Sequence, residues 1–427
     1  MIKHPMTPAP PPGRRPRSRS RQMLFSGILV LITVSMVEGF LRLQQKLGPF
    51  YDLEMRDVDS AKARSEFLNH RIPAGERHAA LISPEVYGKH SGKDWRTEFT
   101  DDGIQINTLR PNWHPGAKTI LFMGDSFMLG YDETNTIPHH VFERVVFAHP
   151  HAKEQAFLNA GCFSYSPSIY IPQANVLIPK LKPDFLVISI DETDLGDDYY
   201  HYRQVTTRGS DGRIVAVRVS PLGIGFLEGF EKARSKPLYS MRAISKWLHT
   251  KVGFPRLEVE YARAHYTAKD DLPPLLLPEC GRYTAEIILR PVRLSEHEAR
   301  KQCGEAVAYF ESTVEELCVT LIKQGVAPDR ILFTRHPHPW HFIPEASGRV
   351  WNHLVTDVVR KVAARHAIQF YDAEPDLKRA FGHEPEKYYW NRDMHFNFDG
   401  LRIYGQFIAD ELAKLMVAAK SAPGSDR

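Results

Sequence analysis

The chain has 427 residues, 43% of them hydrophobic and 25% charged, which suffices for one large domain or two to three average ones. Its net charge of +4 comes from residues 1–22, which hold Lys3, Arg14, Arg15, Arg17, Arg19 and Arg21 and no acid; the rest of the chain sums to −2. Nothing in this balance argues for a folded basic surface, and no nucleic-acid partner is expected.

Residues 1–22, rich in Pro, Arg and Ser, read as a disordered basic tail on the cytoplasmic side. From Met23 to Leu41 the chain is apolar or small except for Glu38, and as a helix it would span about 28 Å, near the hydrocarbon thickness of a bilayer. The arginines ahead of it predict a cytoplasmic N-terminus and an exported C-terminal body. No Ala-x-Ala cleavage site follows, so residues 23–41 are expected to be an uncleaved signal anchor, with a cleaved signal peptide as the rival reading. Arg14-Arg15, in "GRRPRSRS", does not make a twin-arginine signal.

Residues 42–94 read as a stem and lead-in. Strand candidates follow at "TILFM" (119–123), "PDFLVISI" (183–190) and "DRILFT" (329–334), each a short apolar run of the kind buried in a parallel sheet. The segment 204–219 carries a hairpin signal, Asp211-Gly212 between β-branched runs, and 232–252 reads as helical. Because 200–300 breaks the alternation, it is read as an insertion or cap. A helix is predicted over 303–324, with Val307, Phe310, Val314, Leu317 and Leu321 on one face and Gly325 as its C-cap. The last helix is predicted over 401–420, with Ile403, Phe407, Ile408, Leu412 and Leu415 on one face; 421–427 is a flexible tail. Strands alternating with helices predict an α/β fold, a three-layer parallel sheet with helices on both faces.

Of the four cysteines, Cys280 and Cys303 could pair in an exported domain, although nothing in the sequence fixes it. Cys303 and Cys318 would lie about 22 Å apart on one helix and cannot bridge. Cys162 stands alone, and there is no CxxC zinc pattern.

Open parallel sheets bind ligands beyond the carboxyl ends of their strands. The first predicted strand ends in Gly124-Asp125-Ser126, which puts Ser126 near a helix start, where backbone N–H groups can hold an oxyanion. Ser126 is either a helix cap or a nucleophile. Far downstream, "RDMHFNFDG" sets Asp393 two residues before His395. A serine needs a base to lose its proton, and the base needs a partner to fix its tautomer.

Together these motifs resemble the SGNH or GDSL-type hydrolases. "FMGDSF" resembles that family's first block, "FLNAGCFSYSP" (157–167) the second, "PDFLVISIDETDLGDD" (183–198) the third and "DMHFNFDG" the fifth, in the family's order over about 95–420. The resemblance implies a flavodoxin-like α/β fold, Ser126 as nucleophile, His395 as base and Asp393 as its partner, with an oxyanion hole from Ser126, Gly161 and the third-block position. That position is Asn in the family and Thr193 here, and a hydroxyl aims its single donor differently. Asp125, Asp194, Arg335, His336 and Trp340 are expected near the pocket, Asp194 as a structural hydrogen-bonder.

The tail, the anchor with its "EGFLRL" end and "INTLRP" also resemble membrane-anchored bacterial members, including polysaccharide O-acetyl esterases and O-acetyltransferases. This implies an inner-membrane protein with its body in the periplasm, acting without a cofactor on acyl esters of an envelope or extracellular polysaccharide. For acyl transfer, the donor would come from a membrane protein. The alternative on the same motifs is a catalytically degenerate binding or scaffold protein of envelope polysaccharide assembly, which Thr193 motivates. A third reading places a metal at His336, His338 and His341 in "RHPHPWHF"; the prolines and the lack of a carboxylate at helical spacing weigh against it, and no metal is expected.

Overall fold

The computed structural model describes residues 19–47, 75–79, 95–100, 103–106, 118–132, 134–148, 154–218, 221–253, 296–342, 353–390 and 394–421. Among these, eight strands make the main sheet: β1 (Gly75–Ala79), β2 (Trp95–Phe99), β3 (Gln105–Ile106), β4 (Thr119–Met123), β5 (Ala156–Asn159), β6 (Phe185–Ser189), β9 (Ile331–Arg335) and β10 (Gln369–Asp372). Strands β7 (Thr206–Arg208) and β8 (Ile214–Val217) pair separately. The helices are α1 (Arg19–Leu47), α2 (Ser126–Leu129), α3 (Ile137–Ala148), α4 (Pro167–Leu181), α5 (Pro221–Arg234), α6 (Tyr239–Leu248), α7 (Glu296–Lys323), α8 (Leu354–Arg365), α9 (Glu374–Phe381) and α10 (Phe398–Ser421).

The sheet runs β1-β2-β3-β5-β4-β6-β9-β10. From β5 to β10 every pairing is parallel, whereas β1, β2 and β3 extend the β5 edge antiparallel. Counted along the chain, the parallel strands lie in the order 2-1-3-4-5, the doubly wound, flavodoxin-like arrangement, and the direction of winding reverses at β4.

Alternation along β4 explains the layers. Ile120 and Phe122 face a core with α3, α9 and α10, through Ile137, Val141, Leu377, Tyr404 and Ile408. Leu121 and Met123 face the opposite core with α4, α7 and α8, through Ile169, Tyr170, Phe310, Val314 and Val359. A strand buried on both faces must be apolar at every position, which is how "TILFM" reads.

Several sequence expectations meet the structure element by element. β6 lies inside its predicted run, and β9 begins two residues into its run and extends one residue past it, to Arg335. Phe310, Val314, Leu317 and Leu321 of α7 are fully buried, and Val307 packs beside them. The helix begins at Glu296 rather than Cys303, because its first two turns are polar and carry no apolar rhythm. Gly325 follows it with φ +94°, as a C-cap glycine should. Gly212 sits in the β7–β8 turn with φ +78°. Ile214 and Val217 of that hairpin join the core of α4 and α7, so this part of the 200–300 insertion is packed against the main domain. The lead-in 42–94 contributes the edge strand β1. Cys162 and Cys318 are buried; Cys280, residues 1–18, the final tail and Asp393 lie outside the described residues.

α1 carries the stretch Met23–Gln45, long and apolar enough to cross a membrane, and its apolar side chains from Met23 to Leu43 are largely exposed. The helix runs about 44 Å over its 29 residues, longer at both ends than the predicted 23–41 segment.

The start of α4 is capped from a distance. Its N-cap, Ser166, makes no side-chain cap of its own; Asp198 Oδ1 instead accepts the Ser168 N–H at 3.0 Å and the Ser166 hydroxyl. Burial pushes the Asp198 carboxyl up to about 7, against the pull of these hydrogen bonds. The folded protein therefore keeps a proton there that the unfolded chain releases near pH 4, and this group's contribution to stability falls as pH rises from about 4 to 7. Asp198→Asn cannot ionise. Denaturant unfolding at pH 5 and pH 8 is expected to show the variant gaining on the parent at the higher pH.

Candidate active site

β4 ends where the winding reverses, with neighbours β5 and β6 leaving in opposite directions. Such a reversal opens a crevice at the carboxyl ends of the strands, and Ser126 lies there. The chain turns sharply: a Cβ at Gly124 would stand 2.6 Å from Met128 Cβ. Asp125 caps α2, its Oδ1 accepting the Phe127 N–H at 2.9 Å. After one turn Gly130, at φ +70°, ends the helix.

The segment after β5 clamps this turn from beside it. Ala160 N–H donates to Phe122 O (2.8 Å) and Cys162 N–H to Gly124 O (3.0 Å). Asn159 Nδ2 donates to Met128 O (2.9 Å) and to Gln105 Oε1 (2.6 Å). Gly161 runs so close that a Cβ there would meet Leu129 N at 2.6 Å.

His395 arrives from the loop before α10. The loop is pinned where Trp390 N–H donates to His395 O (3.0 Å), Asn397 N–H to Tyr388 O (2.9 Å) and Tyr131 Oη to Phe396 O (2.8 Å). The Phe127 ring packs against the His395 imidazole, with centroids 4.7 Å apart, and against His336 on its other side at 3.9 Å. Ser126 Oγ and His395 Nε2 consequently lie 2.7 Å apart, 269 positions separated in sequence. Both residues are half-buried.

Two of the three expected oxyanion donors, Gly161 and Thr193, are engaged within the fold. Gly161 N–H bonds Asn159 Oδ1 at 2.9 Å, closing a small turn. Thr193 gives both its N–H (2.7 Å) and its hydroxyl (2.6 Å) to Asp191 Oδ1. Asp194 Oδ2 accepts the Asp191 N–H at 3.2 Å.

Beneath the serine lie buried carboxylates. Burial and the charge of Asp191 push Asp125 and Asp194 well above the usual carboxylate range. Burial alone would push Asp191 the same way, but His338, His336 and the Thr193 hydroxyl hold it well below that range. His338 Nε2 lies 3.0 Å from Asp191 Oδ2. Burial drives His336 well below the ordinary imidazole value, against the pull of Asp191.

Arg335 and His336, expected near the pocket, are both fully buried. Arg335 Nε bonds Glu192 (3.0 Å), and its other nitrogens reach Asp372 (3.3 Å), Glu374 and His341 Nε2 (3.1 Å). These carboxylates outweigh the cost of burial and keep the guanidinium charged. It ties the ends of β6, β9 and β10 together. Trp340 lies in the short helix Pro339–Phe342, and its side chain is outside the described residues.

Nor does the triplet His336, His338 and His341 gather as a metal site, because His341 turns to Arg335. Asp191 takes its place: its carboxylate and the His336 and His338 nitrogens lie within 4.8 Å of one another and could hold a cation. All three residues are buried, and Asp191 Oδ2 is already hydrogen-bonded to His338.

Sequence reading missed Asn159, Phe127 and Asp191. Only Asn159 left a local trace, two residues before Gly161 in "NAG".

No protein-family model matches the chain, and no curated protein matches it. Similar solved structures include an α/β hydrolase from the metagenome of Lake Arreo, Spain, 14% identical, covering 70% of this chain and 98% of that one with a TM-score of 0.37. A lipase/acylhydrolase from Enterococcus faecalis is 14% identical over 70% of this chain and 96% of its own, with a TM-score of 0.35. A catalytic mutant of an acetylxylan esterase from Geobacillus stearothermophilus is 11% identical over 70% and 96%, with a TM-score of 0.37. At such identities the functional reading rests on the site itself.

Removing one partner of a buried charge cluster leaves the others uncompensated. Arg335→Leu is expected to lower stability by about 3–5 kcal/mol, read by denaturant unfolding against the parent protein.

Proposed function

We propose that the chain is a serine ester hydrolase or O-acyltransferase of the SGNH type, held to the inner membrane by α1, with its body in the periplasm. The observation that carries this reading is the 2.7 Å contact between Ser126 Oγ and His395 Nε2 at the winding reversal of a parallel sheet. A serine hydroxyl is a weak nucleophile until a base at this distance accepts its proton.

In the proposed reaction Ser126 Oγ attacks the acyl carbonyl while His395 Nε2 takes the hydroxyl proton. The tetrahedral intermediate collapses to an acyl-serine as the imidazolium returns that proton to the departing alcohol. Water or a sugar hydroxyl, deprotonated by His395, then attacks the acyl-serine, and the imidazolium returns that proton to Ser126 Oγ as the acyl–serine bond breaks and acid or a new ester leaves. Asp393, two residues upstream, would orient the imidazole. The Ser126 N–H at the start of α2 is the natural oxyanion donor, joined by Gly161 N–H if it leaves Asn159. The substrate class proposed is an acylated carbohydrate of the envelope or exterior; transfer would need a membrane acyl-donor protein, and no cofactor enters any step.

The engagement of Gly161 N–H by Asn159 and of the Thr193 hydroxyl by Asp191 favours the second reading, a degenerate scaffold on the same fold. Turnover of p-nitrophenyl acetate by the full-length protein in detergent separates the two. An enzyme hydrolyses it, and Ser126→Ala and His395→Ala each lose on the order of 10³-fold or more, with the double variant no worse than either. Absence of turnover in the folded parent protein, or equal turnover in the variants, would support the scaffold.

Thr193→Val tests the oxyanion hole in the same assay. With its hydroxyl committed to Asp191, turnover is expected to stay within about tenfold, whereas a drop of about 10²–10³ would assign that hydroxyl to the oxyanion.

A further inference from the structure

α1 and α6 are joined by one carboxylate. Leu238, the N-cap of α6, provides no side-chain cap, so the first N–H groups of α6 need a partner. Glu38 of α1 supplies it: Oε1 accepts the Tyr239 N–H at 2.9 Å, and Oε2 accepts the Ser240 N–H at 3.0 Å and its hydroxyl at 3.2 Å. Arg42, one turn further along α1, donates to Glu38 Oε1 at 2.9 Å and lies 5.4 Å from the Tyr239 ring centroid. The lone acid of the apolar stretch is thus fully engaged where α6 begins.

This contact fixes the depth of α6. Glu38 lies about 22 Å along the helix axis from Met23, so in a bilayer entered near Met23 it sits close to the far boundary of the hydrocarbon. α6 leaves from that level.

Its composition suits such a place. Met241, Ile244, Trp247 and Leu248 of α6, and Val252 in the π-helical turn His249–Gly253 that continues it, recur at helical spacing, and all are exposed, Ile244 by 61%. No residue of α6 is buried. From Arg234 to Gly253 the chain holds five cations, Arg234, Lys236, Arg242, Lys246 and Lys251, and no acid. On its inner side α6 packs on α5, where Lys246 Nζ lies 5.8 Å from the Phe230 ring centroid, and in the turn that follows α6 His249 meets Phe230 edge-on at 5.0 Å. An exposed apolar stripe carrying a tryptophan and flanked by cations is the pattern of a helix lying in a lipid interface. Lysine and arginine stems can cover apolar surface while their heads reach lipid phosphates.

We infer that α6 is an interfacial helix, docked in an anionic phospholipid surface with Met241, Ile244, Trp247, Leu248 and Val252 in the acyl boundary and its cations on lipid phosphates. The inference rests on α1 being the membrane anchor. α6 then holds the body in one orientation on the membrane, beyond what a single tether provides.

The test uses the full-length protein in vesicles of phosphatidylethanolamine and phosphatidylglycerol, with and without bromine on the acyl chains. An environment-sensitive fluorescent amino acid replaces Ile244, Leu31 or Val215 by nonsense suppression. The probes at 244 and 31 are expected to lose intensity in brominated vesicles, and the probe at 215, on β8, to keep it. Quenching at 31 without quenching at 244 would overturn the docked helix while leaving the anchor standing. Quenching at neither would overturn the anchor and the docking with it. Lys246→Glu combined with Lys251→Glu is expected to weaken quenching at 244 and spare it at 31; unchanged quenching at 244 would overturn the role of the lipid phosphates.

Discussion

The close approach of two backbone segments around Met128 sets the geometry of the site. Gly124 lies where a Cβ would be 2.6 Å from Met128 Cβ, and Gly161 where one would be 2.6 Å from Leu129 N. Neither contact tolerates a side chain, so the turn after β4 and the segment after β5 close on α2 like two jaws. Asn159 bonds the Met128 carbonyl and the Gly161 N–H together, locking that closure. A serine on a one-turn helix has little intrinsic order; here its backbone is fixed from three sides. His395 can be met at 2.7 Å only because the serine is held so.

Electrostatics beneath the serine follows from the same compactness. Carboxylates that would be ionised in water are crowded out of it, and Asp125 and Asp194 hold protons more tightly for lack of solvent and for the nearness of Asp191. Asp191 keeps its charge because His338 faces it and Thr193 gives it two hydrogen bonds. Arg335 answers the second group of acids, Glu192, Asp372 and Glu374, drawn from two segments far apart in the chain. The result is a hydrogen-bonded, buried floor under a half-buried Ser–His pair.

Much of this was legible in the sequence, for a physical reason. Strands buried on both faces must be apolar throughout, so β4, β6 and β9 stood out, and the Asp-Gly turn and the α7 and α10 faces carried equally local rules. β5 and β10, at four residues each, are too short to show a pattern, and β1 to β3 are edge elements with mixed polarity. Ser126 drew notice because its motif coincides with a strand end, and His395 because Asp-x-His precedes the last helix. The burial of Arg335 and His336 was not: their position after a strand suggested a pocket wall, whereas their partners at Glu192, Glu374 and Phe127 are distant in sequence. The engagement of Thr193 by Asp191 is local, yet it depends on a turn geometry that composition does not reveal.

The claim that Ser126 is an activated nucleophile is most directly tested by treating the full-length protein with a fluorophosphonate and mapping the adduct by peptide mass analysis. The account predicts a covalent adduct on Ser126 that disappears when His395 is replaced by Ala. A folded protein that gives no adduct at Ser126, or one whose labelling is indifferent to His395, would contradict it.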